Sequence, residues 1–155
     1  VIVKRYHHEA GSPWVRSICD PRTHPSLYLA QLAHVEVIAA LYRTARRENL
    51  HLSFSNSLVS IFERHLAMSD PTRRSPVYRI VPLSTTVTDL AAFLCKRYWD
   101  MSPRPIRSLD AIQLAAAMLA ARASGEEVLF VTADTRLAEI AVLEGFTVVN
   151  PVSPP

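Results

Sequence analysis

Apolar positions fall into short blocks along this chain, and the blocks alternate between two spacings. Residues 26–30 (SLYLA), 77–83 (VYRIVPL), 128–132 (VLFVT) and 146–149 (FTVV) are brief and apolar, which predicts strands. Between them, apolar residues recur at helical spacing. Residues 33–47 predict a helix with Val35, Ile38, Ala39, Tyr42 and Ala45 as its inward stripe. Residues 53–68 predict a second, with Leu58, Ile61, Phe62 and Leu66 apolar, and the two form a helical hairpin. A helix over 85–98 turns Val87, Leu90, Ala91 and Leu94 inward. Residues 107–121 (RSLDAIQLAAAMLAA) follow, with Ser108 as N-cap and Leu109, Ile112, Ala116 and Leu119 at helical spacing. A last helix over 133–145 closes at Gly145.

At the other end, Val1-Ile2-Val3 reads as the tail of a buried strand, with native residues expected upstream of it. Ser12 as N-cap and Pro13 at the first helical position predict a short helix through Trp14, Val15 and Ile18. Proline-containing stretches at 70–76 and 101–106 predict loops. Strands alternating with helices imply an α/β fold, with a parallel sheet covered by helices on both faces. In such sheets, sites form beyond the carboxyl ends of the strands.

Composition narrows the class. At 155 residues the chain suits one domain, and with 49% hydrophobic and 20% charged residues it reads as globular rather than disordered. Its longest purely apolar run, Leu114 to Ala121, falls far short of a membrane span, and no signal-peptide pattern opens the chain. Cys19 and Cys95 lack CxxC spacing, which points to buried thiols and a cytoplasmic protein rather than a disulfide or zinc framework. A net charge of +3 tolerates a polyanionic partner without demanding one.

Three carboxylates stand where this fold gathers side chains. Glu36 lies near the start of the 33–47 helix, Asp110 in the first turn of its helix, and Asp134 directly after the 128–132 strand. Each has a purely structural use by itself: Glu36 as a solvated helix residue, Asp110 as a partner of the helix dipole, Asp134 as an N-cap. Taken together they point elsewhere. Clustered carboxylates repel, and a divalent cation removes the conflict. All-oxygen ligation selects Mg²⁺ or Mn²⁺ over zinc. Such a metal acidifies a bound water and stabilises charge on a phosphate, and helix N-termini favour phosphate at the same edge. This is the chemistry of phosphodiester hydrolysis.

Four stretches carry a family resemblance: VIVKRYHHEAGSPWV, AHVEVIAAL with Glu36, RSLDAIQLAAAMLA with Asp110, and LFVTADTRLAEIAVLEGFTVVNP with Asp134. In order and separation they resemble the PIN-domain ribonucleases, in particular the toxins of VapBC-type toxin–antitoxin pairs. The resemblance implies a single three-layer PIN-like domain and a metal-dependent endoribonuclease (a hydrolase) acting on single-stranded or loop regions of RNA. It implies Asp110, Glu36 and Asp134 as metal ligands, with Thr132 behind them orienting a carboxylate or a water. It further implies a homodimer held inactive by a cognate antitoxin, for which the apolar surfaces of the helical hairpin are docking sites. The family's first acid sits a few residues before the segment matching Val1-Ile2-Val3, and no residue of this sequence matches it. A second reading is therefore kept: a non-catalytic PIN-like module that binds RNA or a protein partner.

Other features add less. Arg43, Arg46, Arg47, Arg73, Arg74, Arg104 and Arg107 are candidates for an RNA path, and equally for solvated surface; Arg107 stands out beside Asp110. Trp14 and Trp99 suit base stacking or packing. His7-His8 and His34 lack metal-ligand spacing. No GxGxxG, P-loop or GxSxG motif is present, so neither a nucleotide cofactor nor a serine-hydrolase elbow is implied.

Overall fold

A computed structural model describes residues 1–20, 22, 26–69, 77–101 and 105–155 of the chain. The expected loop at 70–76, and residues 102–104 of the second loop, lie outside the described residues. The fold is mixed α/β and mostly helical. In order, its elements are α1 (Val3–Tyr6), α2 (Ser12–Ile18), β1 (Tyr28–Ala30), α3 (Ala33–Arg47), α4 (Leu52–Ala67), β2 (Arg79–Val81), α5 (Thr85–Arg97), α6 (Ser108–Ser124), β3 (Leu129–Val131), α7 (Thr135–Leu143) and β4 (Thr147–Val149). The strands predicted at 26–30, 77–83, 128–132 and 146–149 form, but each is only three residues long. Among the described residues they pair as two two-stranded sheets, β1 with β2 and β3 with β4. The chain divides into two compact units: Val1–Leu27 with Leu32–Ile80 and Pro151–Pro154, and Tyr28–Gln31 with Val81–Asn150 and Pro155.

The second unit is built on α5 and α6. Ser84 caps α5 by accepting the Val87 N–H (3.4 Å), and Lys96 and Arg97 suit its negative end. Val87, Ala91 and Leu94 are buried on α5 as their spacing predicts. On α6 the buried residues are Ala111, Leu114, Ala115, Ala116 and Ala120. Of the predicted stripe only Ala116 is fully buried; Leu109 is 46% exposed. The cause is composition: a helix this rich in alanine and leucine has more than one apolar face. Small Ala111 and Ala115 flank Leu114 and let neighbouring elements come close to the backbone. Ser108 is not the N-cap either; Arg107 holds that place, without a side-chain cap bond. Behind this pair, β3 and β4 run parallel with α7 between them, aligned Leu129 to Thr147, Phe130 to Val148 and Val131 to Val149.

The first unit corrects three further expectations. Residues 1–3 form no strand; α1 begins at Val3 and Ile2 already has helical angles. Val and Ile favour strands through packing against neighbouring strands, and β propensity without such a neighbour decides little. Ser12 is the first helical residue rather than the N-cap, which is Gly11 at φ +86°. The Ser12 hydroxyl instead accepts the Glu9 N–H and donates to the His7 carbonyl. The hairpin α3–α4 forms where expected, but α3 is rotated. Ala33, Val37, Leu41 and Ala45 are buried, while Val35 is 66% exposed and Tyr42 also faces solvent. On α4 the buried residues are Ser55, Val59 and Phe62, with Ile61 exposed.

A directional hydrogen-bond chain ties α1 into this unit. Arg5 Nη1 donates to the Tyr78 hydroxyl (2.6 Å), and the Tyr78 and Tyr6 hydroxyls share a bond (2.6 Å). Tyr6 in turn meets Nδ1 of His65 (2.9 Å). With every hydroxyl passing its proton onward, the chain ends on an unprotonated Nδ1. Burial, then the charges of Arg5 and Arg64, lower the His65 pKa from its ordinary 6.5.

Two predictions follow from this packing. Leu114→Ala should lower unfolding free energy by about 2–5 kcal/mol, while Leu109→Ala should cost well below that, both read by urea denaturation. For His65, a lowered folded pKa means that the unfolded chain binds the proton more tightly. Stability should then be full above pH 6.5 and fall as pH drops through the folded-state value. His65→Gln should remove that component from the pH profile of urea unfolding.

Candidate metal centre

Asp134 is placed by two local devices. It is the N-cap of α7, and its Oδ1 accepts the N–H groups of Arg136 (2.9 Å) and Leu137 (3.0 Å). Its own N–H donates to Thr132 Oγ1 (3.1 Å). Thr132 is buried and is itself held at the end of β3, where its N–H donates to the Val149 carbonyl (3.1 Å). The strand thus fixes Thr132, Thr132 fixes the Asp134 backbone, and the helix fixes one carboxylate oxygen. The second oxygen, Oδ2, takes no part in that cap.

Asp110 lies in the first turn of α6, where the helix dipole favours a carboxylate. The two acids meet through Arg107. Its Nε donates to Asp110 Oδ2 (2.6 Å) and its Nη2 to Asp134 Oδ2 (2.6 Å). The Asp110 side chain is 17% exposed, that of Asp134 35% and that of Arg107 71%. The two carboxylates raise the Arg107 pKa, chiefly through the Asp110 hydrogen bond. Arg107 is thus more than the RNA contact its sequence position singled out: it bridges the acids. Its pairing with Asp110 is a three-residue helical spacing and was readable in the sequence. Its bond to Asp134 joins distant parts of the chain and left no local signal.

Glu36, the third predicted acid, is half-buried in the first turn of α3 and belongs to the first unit. Arg43, Arg46 and Arg47 are exposed on the same helix. Arg73, Arg74 and Arg104 lie outside the described residues. Among the described residues, no three His, Cys, Asp or Glu side chains gather closely enough to hold a metal ion. The Asp110–Asp134 pair nevertheless fits a hard divalent cation. Its donors are carboxylate oxygens, and one from each acid already holds the same cationic group. No helix among the described residues is long and apolar enough to cross a membrane. No protein-family model matches this sequence, and no curated protein matches it.

The cap role of Asp134 can be separated from its second oxygen. Asp134→Ala should lower stability by about 1 kcal/mol through loss of the α7 cap, whereas Asp134→Asn keeps a capping oxygen and should unfold close to wild type in urea.

Proposed function

We propose that this chain is a metal-dependent endoribonuclease with a PIN-like three-layer fold, the toxin of a type II toxin–antitoxin pair. One observation carries the reading. Asp110 and Asp134, from the starts of two different helices, direct one oxygen each onto a single cationic group. The parallel β3–α7–β4 segment supports the fold part of the proposal, a central parallel sheet with helices on both faces. Asp110 and Asp134 would hold Mg²⁺ or Mn²⁺ through the carboxylate oxygens now paired with Arg107. The ion supplies Lewis acidity, which acidifies water and offsets charge building on the scissile phosphate. Thr132 keeps Asp134 oriented. Arg107 and the amino ends of α6 and α7 receive the RNA phosphate. The protein works in the cytoplasm as a homodimer. Its antitoxin covers exposed apolar residues of the α3–α4 hairpin, such as Val35, Phe54 and Ile61.

The same bridge favours the second reading, a PIN-like module that binds RNA or a protein without cutting. An arginine already paired with both acids offsets half of their charge without any metal. Incubation of antitoxin-free protein with a mixed RNA pool decides between the two. The nuclease cuts with Mg²⁺ or Mn²⁺, stops with chelator, and loses at least about 100-fold in rate in Asp110→Asn. Folded protein that leaves the whole pool intact supports the binding module. Cutting that survives Asp110→Asn overturns the site.

A further inference from the structure

We infer that Arg107 is a displaceable cation that competes with a divalent metal ion for Asp110 Oδ2 and Asp134 Oδ2, and so sets the metal concentration at which the site fills. The inference rests on the nuclease reading and adds a regulatory element to it. Both oxygens are hydrogen-bonded to one guanidinium, through Nε and Nη2, at 2.6 Å each. A divalent ion bound to the same oxygens would meet that positive charge at contact distance, and like charges so close destabilise each other. Asp134 has no easy alternative. Its Oδ1 already accepts two N–H groups of α7, so offering that oxygen to a metal would uncap the helix.

Arg107 is well suited to leave. Its side chain is 71% exposed, so little besides the two carboxylates surrounds it. It sits at the N-cap of α6, where the helix dipole disfavours a cation, and no side-chain cap bond anchors it. Exposed ion pairs of this kind hold weakly. Once released, the planar fork is still tethered beside the site and free to take two oxygens of a phosphate. Arginine binding and metal binding are then coupled through the two aspartates, and the coupling is reciprocal.

The test is calorimetric titration of Mn²⁺ into the full chain without RNA, comparing wild type, Arg107→Gln and Arg107→Lys. Arg107→Gln should bind Mn²⁺ more tightly, by about 2- to 30-fold, the loss of two exposed ion pairs. Arg107→Lys keeps the charge but not the two-point fork, and should fall between them. In parallel, Mg²⁺ added to ¹⁵N-labelled wild type should move the Arg107 Nε–H resonance toward that of a solvent-exposed arginine. If wild type binds Mn²⁺ and Arg107→Gln binds no tighter, the competition is overturned and the nuclease reading stands. If neither protein binds Mn²⁺ at millimolar concentration, both fall together.

Discussion

Two carboxylates brought to one point need a positive charge between them, and the second unit is arranged around that requirement. Asp110 and Asp134 are drawn to the starts of α6 and α7 because helix N-termini favour anions. Nothing in that preference keeps two acids apart once both helices begin at the same place. The chain meets the conflict with Arg107, which the same dipole would otherwise repel. The arginine is held by the acids, and they are held near each other by it. An exposed pair of this type contributes only about 0–1 kcal/mol, so the arrangement offsets half of the acids' charge without locking the site.

How much of this could be read from the sequence depended on the range of the interaction. Helix limits are local and were legible: the predicted 33–47 is α3, and 85–98 differs from α5 by one residue at its end. Ser84 and Asp134 cap their helices through bonds to residues two or three positions on, which a sequence displays directly. The face that each helix buries is not local. Val35 and Leu109 fit an inward stripe by spacing, yet both are exposed, because α3 and α6 carry apolar residues around much of their circumference. Which stripe turns inward is settled by partners elsewhere in the chain. Val1-Ile2-Val3 shows the same limit, since strand-forming residues without a neighbouring strand entered a helix instead.

The candidate site divides along the same line. Asp110 and Asp134 stood out because each begins a helix, and the Arg107–Asp110 pair was visible in its spacing. The Arg107–Asp134 bond spans 27 positions and depends on where β3 delivers the chain, which no local pattern states. The run Arg5, Tyr78, Tyr6, His65 was equally hidden, as it joins residues from both ends of the first unit.

The double use of Asp134 bears on affinity. A free aspartate rotates about two side-chain bonds and loses that freedom when it takes a ligand. Here the α7 cap has already selected the side-chain rotamer during folding, and the Thr132 contact holds the backbone beneath it. The second oxygen therefore meets any incoming cation, guanidinium or metal, in a fixed place and with little entropy left to lose. Such preorganisation strengthens binding without adding a single contact.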